Sequence, residues 1–284
     1  MAAPKDRRFD VHLHLSRYWP DLPTNSYRAG LDFSVRGLLA EMDLAHIGAG
    51  ILLQIHESPS VEETLREGRE LLVASEGRLL RTSTVSPTQG AEEVARAVAL
   101  WETTSDLAAV KLFPGYFPFY PHDSRLGPVY EFAHRRNLPV MIHQGDTLDR
   151  HGLVKYARPI ELDEVAVRYR DVRFVLCHFG NPWMEEASEV VYKNPNVYVD
   201  TSGLLPPPRV PHFAAAVART VDRLADAIAF IGDVDRILYG SDWPLESLPT
   251  AVSLIESLDL APEEKELILG GNARRLFGLP PAGV

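Results

Sequence analysis

The 284-residue chain has one cysteine, Cys177, so it can form no intrachain disulfide and no cysteine-rich zinc site. Positive charge is also scarce: 29 Lys and Arg stand against 39 Asp and Glu, a formal net charge of −10. Proteins that grip a phosphate backbone carry a basic stripe, so no nucleic-acid partner is expected. No uncharged apolar run approaches the length of a membrane span, and the opening MAAPKDRRFD has charge but no apolar signal core. A cytoplasmic protein with no membrane partner is the expectation. No G-x-G-x-x-G follows the first apparent strand and no Gly-Lys dipeptide occurs, which leaves an open dinucleotide-binding sheet or a phosphate loop without support.

What the chain does contain is alternation. Short β-like runs at 9–15, 49–55, 78–85, 107–113, 138–143, 172–178, 196–201 and 235–241 are each followed by a helix-like stretch. Behind Ser34, a natural N-cap, Val35, Leu38, Leu39 and Met42 recur at helical spacing. Val94, Ala97, Val98 and Trp101 repeat the pattern, and so do Ala251, Leu254, Ile255 and Leu258. Eight such units without a composition break predict a single-domain α/β fold over 1–284, a (β/α)₈ TIM barrel with its site at the carboxyl ends of the strands. The irregular segments 16–33, 113–121 and 203–212, rich in proline and aromatics, then fall on the loops above that face.

The first strand carries Asp10-Val11-His12-Leu13-His14. Side chains two apart share a strand face, so His12 and His14 are expected to project together into the barrel with Asp10 one layer deeper. Paired buried imidazoles need partners for their nitrogens, and either core hydrogen bonds or a divalent metal supplies them. Three more polar residues end apolar runs: His143 in PVMIH, His178 in RFVLCH and Asp242 in ILYGSD. In a barrel all these ends meet on one rim. Imidazoles with one carboxylate suit zinc, manganese or iron, with zinc the first expectation.

With these residues in view, the chain resembles the amidohydrolase superfamily, and within it the amidohydrolase-related branch of aminocarboxymuconate-semialdehyde-decarboxylase-like enzymes. FDVHLHL, VKLFPGY, LPVMIHQGD, FVLCHFG, YGSDWP and GNARRLFGL carry the likeness, in the family's order and across nearly the whole chain. The resemblance implies one metal on His12, His14, His143 and Asp242, with His178 beside it as a catalytic or orienting group. Asp242 would double as a proton carrier, and His178 would activate water or polarise a carbonyl.

Lys111 has three readings: a carboxylated bridge between two metals, an ammonium for a substrate carboxylate or for Asp242, or a structural ion pair. Trp19, Lys111, Tyr116 and His56 are the expected substrate contacts, with Arg17, Arg150 and Arg209 as candidates for an acidic substrate. Cys177 should turn away from its neighbour His178 toward the helices as a buried thiol. Asn272, Arg274 and Arg275 should fasten the chain end to the barrel.

The expected activity is metal-dependent hydrolysis of a small-molecule amide, ester or lactone. The alternatives are non-oxidative decarboxylation of an aromatic or unsaturated acid, and a barrel that binds small molecules without catalysis. A homodimer or higher homo-oligomer is the expected assembly, as the resemblance implies.

Overall fold

The structure is a computed structural model that describes residues 8–18, 32–55, 60–206 and 210–280. Among them, strands and helices alternate from end to end. The order is β1 (Arg8–Leu13), α1 (Val35–Leu44), β2 (Ile47–Leu52), α2 (Val61–Ala74), β3 (Leu79–Thr84), α3 (Ala91–Glu102), β4 (Leu107–Leu112), α4 (Gly127–Arg136), β5 (Val140–Ile142) and α5 (Asp163–Arg168). It continues with β6 (Phe174–Leu176), α6 (Met184–Lys193), β7 (Val197–Asp200), α7 (Phe213–Ile231), β8 (Ile237–Leu238), α8 (Leu248–Glu256), α9 (Pro262–Glu266) and α10 (Asn272–Leu276). The strands lie in sequential order, each parallel to the next.

The last strand returns to the first. Val11 N–H donates to Tyr239 O at 3.0 Å, His14 N–H to Trp243 O at 2.8 Å and Asp242 N–H to His12 O at 2.9 Å. These bonds join the two edges that an open sheet would leave exposed, so the sheet is a barrel. They also bring the two chemically rich segments, 10–14 and 240–243, side by side.

Helix positions follow the periodicities in the sequence. Ser34 caps α1 by accepting from Gly37 N–H at 3.1 Å, and Ser60 caps α2 through Glu63 N–H at 3.2 Å. On α3 the buried residues are Val94, Ala97, Val98 and Trp101, the four that share a face at helical spacing. A buried aliphatic side chain contributes roughly 1.5–3 kcal/mol. One such face is therefore enough to hold a helix of a length that is marginal alone in water.

Two apolar clusters divide the molecule. The larger lies between strands and helices. In the smaller, Phe9, Val11, Ile51, Ala109, Met141, Val175, Cys177 and Leu238 meet from six different strands, which places this cluster inside the barrel. Leu276 packs into it, with partly buried Phe277 and Leu279 against it. The chain end thus closes the floor. Asn272 Nδ2 fastens it by donating to Val234 O at 2.6 Å and Ile237 O at 2.7 Å, and Arg275 reaches Asp235 at 3.2 Å, the structural role expected of this segment.

Candidate functional site

The carboxyl ends of the strands open into a cavity of about 480 Å³. His12, His14, Lys111, Tyr116, His143, His178 and Asp242 all line it. Trp19, His56 and Arg209 lie outside the described residues. Arg17 is engaged elsewhere, bonded to Glu67 and Glu70 on α2.

The histidine rings form a continuous group, with centroids 5.0 Å apart for His12 and His14, 4.6 Å for His12 and His178, and 4.8 Å for His178 and His143. His14 Nε2 lies 3.3 Å and His12 Nε2 3.6 Å from Asp242 Oδ1. Among the described residues, two groups bring ligand atoms within 4.8 Å of one another: His12, His178 and Asp242, and, behind them, His12, Cys177 and Asp200. His178 therefore stands as close in as any expected ligand.

Strict strand alternation does not produce this convergence. On β6, Val175 and Cys177 face the barrel interior while Phe174 and Leu176 pack outside it. Cys177 thus points inward, contrary to the expectation that it faces the helices. His178 and Phe179 then adopt left-handed backbone, φ 60° and 47°, and this turn swings the imidazole into the cavity. Asp242 does the same at φ 64°. Such conformations cost non-glycine residues roughly 1–3 kcal/mol and persist where the surroundings fix them.

On β1 the pairing with β2 slips between Asp10 and Leu13. Phe9 and Val11 belong to the inner cluster, yet His12 and His14 still reach the cavity, so the slip re-phases the strand. Asp10 is not one layer deeper on the histidine face, as expected. Its Oδ1 accepts from the backbone N–H of His12 at 2.8 Å and of Ser241 at 3.2 Å, which pins the irregularity. Gly203 and Gly240 keep the space open. A Cβ on Gly203 would stand 3.0 Å from Asp242 Oδ2 and 3.2 Å from His178 Nδ1, and one on Gly240 only 2.9 Å from His12 Cβ.

Asp200, at the end of β7, organises the group from behind. Its Oδ2 faces His12 Nδ1 at 2.9 Å, and its Oδ1 accepts from His178 N–H at 2.9 Å and Ser202 N–H at 3.1 Å. Burial pushes this carboxyl up, but the charge and hydrogen bond of His12, with His178 and Lys111, hold it well below the usual carboxylate range. An ionised Asp200 accepts a hydrogen bond from His12 Nδ1–H and so leaves the ring's lone pair on Nε2. That Nε2 is buried and makes no hydrogen bond among the described residues. Asp200 and Ser202, polar residues at the end of β7, are placed to meet either substrate or the histidines. They line no part of the cavity and orient histidines instead.

A count of protons tests whether a metal fits. Four contacts run in a chain: Asp146 O to His143 Nε2 at 2.9 Å, His143 Nδ1 to His178 Nε2 at 3.1 Å, His178 Nδ1 to Ser202 Oγ at 2.9 Å, and Ser202 Oγ to Asp200 Oδ1. Burial, with the neighbouring His178 and Lys111, lowers His143 well below its ordinary value. Burial also lowers His178, against the pull of Asp242, so both rings are neutral. Two neutral imidazoles and a hydroxyl supply three protons for four contacts. A cation at His143 Nδ1 and His178 Nε2 removes the contact that lacks one, and the remaining three are then satisfied. With the bare Nε2 of His12 and the carboxylate of Asp242, the donor set fits a divalent metal. Burial alone would raise Asp242, but the hydrogen bond from His14 and the charges of His178 and His12 hold it well below the usual range. Burial lowers His12 to about 3, against the opposing pull of Asp200, and this ring too stays neutral.

Lys111 is fully buried and, among the described residues, has no carboxylate within 4.0 Å, so the structural ion pair is not formed. Its Nζ donates to Cys177 Sγ at 3.0 Å and lies 5.2 Å from the Phe113 ring centroid. Burial pushes the Cys177 thiol well up, so it faces the ammonium as a neutral group. Tyr116 packs edge-on against His143 at 4.8 Å, and its hydroxyl accepts from Leu148 N–H at 3.2 Å, tying the β4 and β5 loops together.

Asp10 yields an expectation for stability. It is fully buried, its Oδ2 has no hydrogen-bond partner among the described residues, and burial raises the carboxyl from 3.8 to about 7 against the bonds from Ser241 and His12. A carboxyl raised in the fold keeps a proton that the unfolded chain has released, so its contribution to stability falls as pH climbs from 3.8 through about 7. Asp10→Asn carries no charge to bury. In metal-free protein its stability relative to wild type should rise between about pH 5 and about pH 8 by about 2.5 kcal/mol, at about 1.4 kcal/mol per unit at first and levelling off above about pH 7. Parallel melting curves for the two proteins over that range would contradict this.

Comparison with known proteins places these observations in a family. The amidohydrolase family model (Amidohydro_2) matches residues 9–279. A gamma-resorcylate decarboxylase from a Polaromonas species is 25% identical over 289 residues, spanning 84% of this chain and 83% of its own. Among solved structures, a TIM-barrel protein from Bordetella bronchiseptica superposes with TM-score 0.71 at 22% identity, covering 98% of this chain and 99% of that one. A Polaromonas dihydroxybenzoic acid decarboxylase, solved with manganese and 2-nitroresorcinol, gives TM-score 0.70 at 17% identity, covering 96% and 97%. The expected hydrolysis of an amide, ester or lactone is overturned here: the curated relative and several of the solved neighbours are named as decarboxylases of aromatic acids, although a probable 2-pyrone-4,6-dicarboxylic acid hydrolase also shares the fold. Nor is any described helix long and apolar enough to cross a membrane. From residue 9 to residue 279, this chain belongs to the amidohydrolase family.

Proposed function

We propose that the protein is a non-oxidative decarboxylase of a small aromatic acid. The likeness to a gamma-resorcylate decarboxylase over 84% of the chain carries this reading. The buried histidine–carboxylate group beneath a cavity sized for a small molecule supports it. One divalent cation would be held by His12, His14, His143 and Asp242, with His178 beside it. When bound, it supplies positive charge for the substrate's carboxylate and a neighbouring oxygen.

The chain's own groups do the rest. Phe113, Tyr116 and Leu204 give the aromatic ring apolar walls. Lys111, buried at the base of the cavity, adds a second positive charge near an incoming carboxylate. Asp242 is held in its ionised form by the imidazoles around it, so a proton it takes up from solvent is strongly acidic and passes readily to the ring carbon that bears the carboxylate. The bond from that carbon to the carboxylate then breaks, its electron pair returns to the ring, and carbon dioxide leaves. His178, fixed through its Nδ1 by Ser202, keeps its Nε2 toward the cation and orients the substrate beside Asp242.

The test uses protein loaded with manganese or zinc and a panel of hydroxylated benzoic acids, in heavy water. Carbon dioxide release with one deuterium at the vacated ring carbon is expected. Metal analysis of the native protein separates zinc, which the donor set alone favours, from manganese, which the Polaromonas structure contains. Product that carries solvent oxygen, with no carbon dioxide, would refute the proposal.

A further inference from the structure

The cavity has chemically different ends. Its base holds the histidines, Asp242 and Lys111, whereas helix α7 borders its mouth. Ala216, Arg219, Thr220 and Arg223 line the cavity from that helix, at positions i, i+3, i+4 and i+7, which share one face. Two guanidinium groups therefore stand at the entrance in a chain of net charge −10.

They are held differently. Arg223 is half-buried and anchored, donating to Asn181 Oδ1 at 3.2 Å and Pro182 O at 2.8 Å. Arg219 is exposed and makes no hydrogen bond or ion pair with any described residue, although Asp222 lies one turn away on the same helix. Elsewhere the arginines are mostly engaged: Arg17, Arg36, Arg66, Arg78, Arg96 and Arg158 each meet a carboxylate. An uncommitted guanidinium offers five donors in a planar fork that matches a carboxylate.

Three acids line the same cavity: Asp242 is engaged with the imidazoles, and neither of the other two opposes an anion at Arg219 strongly. Glu246 is buried and accepts from Leu205 N–H at 2.8 Å, and burial raises it well above the usual range, which disfavours its charged form. Asp146 is turned into its own loop, where its Oδ1 accepts from Thr147 N–H at 2.9 Å.

We propose that Arg219, with Arg223 one turn further on, binds a second carboxylate of the substrate, so that this pocket selects an aromatic dicarboxylate over a monocarboxylate. One carboxylate goes to the base, the ring lies between the apolar walls, and the other meets Arg219 at the mouth. The proposal rests on the decarboxylase reading for the identity of the first carboxylate, but its geometry is that of binding. The guanidinium pair also draws dianions toward a negatively charged protein.

The test is calorimetric titration of manganese-loaded protein with salicylate and with hydroxybenzenedicarboxylates that carry the second carboxylate meta or para to the first. At least one dicarboxylate should bind wild type about tenfold more tightly than salicylate, the gain of one charge-assisted fork. Arg219→Ala should lose that advantage and leave salicylate within about twofold, and Arg219→Lys should recover part of it. A wild type without preference for any dicarboxylate, or a variant that weakens both ligand classes alike, overturns the proposal. Carbon dioxide release is measured separately on the same ligands. A dicarboxylate held through Arg219 that never loses carbon dioxide counts against the decarboxylase reading and for the anion site. Turnover indifferent to Arg219 counts the other way.

Discussion

Asp242→Asn should lower carbon dioxide release by at least about three orders of magnitude and leave the barrel folded. The backbone is the reason the fold should survive. Asp242 sits at φ 64°, and Asn enters left-handed conformation at least as readily as Asp. Its main-chain bonds, the N–H to His12 O at 2.9 Å and the C=O from Leu245 N–H at 2.8 Å, do not involve the side chain. The chemistry has no such protection. An amide cannot carry the acidic proton that the ring carbon receives, and it offers the metal a neutral oxygen in place of a carboxylate. Loss of a positioned proton donor costs roughly two to four powers of ten, and a weakened metal adds to it. Turnover by carbon dioxide release, with melting temperature on the same sample, checks both halves. A variant within tenfold of wild type would remove Asp242 from the reaction, and a collapsed melting temperature would show that it is chiefly structural.

The barrel was legible because its strands and helices answer to local pattern. Each of the eight apolar runs became a strand, and the spacing of Val94, Ala97, Val98 and Trp101 identified the buried face of α3 without error. The trimmed strands show what local pattern cannot reach. The run 235–241 keeps only Ile237–Leu238 as strand, and at Gly240 the chain passes so near His12 that a Cβ there would stand 2.9 Å from His12 Cβ. That constraint belongs to a segment more than 200 residues away.

The site was legible as a list and not as an arrangement. His12, His14, His143, His178 and Asp242 were visible as polar residues ending apolar runs, and they meet in one cavity. Alternation by twos nonetheless misdirected Cys177 and Asp10, because left-handed residues after β6 and the slip in β1 reset the phase. Asp200 could be read only as a polar strand end, since its partner His12 is 188 residues distant in sequence. Arg219 and Arg223, four apart on a helix, have the pattern of any solvated face. The reaction was least legible of all. One ligand set can serve water addition or loss of carbon dioxide, and the choice depends on which substrate the walls admit.

His12→Ala should reduce bound metal from near one ion per chain to less than about a tenth, and turnover with it. His12 is the imidazole whose protonation is most fully determined. Asp200 and Ser202 both face its Nδ1 at 2.9 Å, burial keeps it neutral, and its Nε2 has no partner among the described residues other than the space beside Asp242. Asp200→Asn then separates orientation from ligation. The amide can present either an oxygen or an NH₂ to Nδ1, so the histidine loses the carboxylate that fixes its tautomer but keeps its own nitrogen. Metal affinity should fall only about 10–100-fold, the usual range for a residue that orients a ligand. Competition with a chromophoric chelator measures both affinities, and circular dichroism on the same samples confirms that the chains are folded. The graded order of wild type, Asp200→Asn and His12→Ala is the signature of a cation at Nε2. Full metal occupancy in folded His12→Ala protein would mean instead that His12 and Asp200 form a buried structural pair, and that the cation is held by His14, His143, His178 and Asp242 without them.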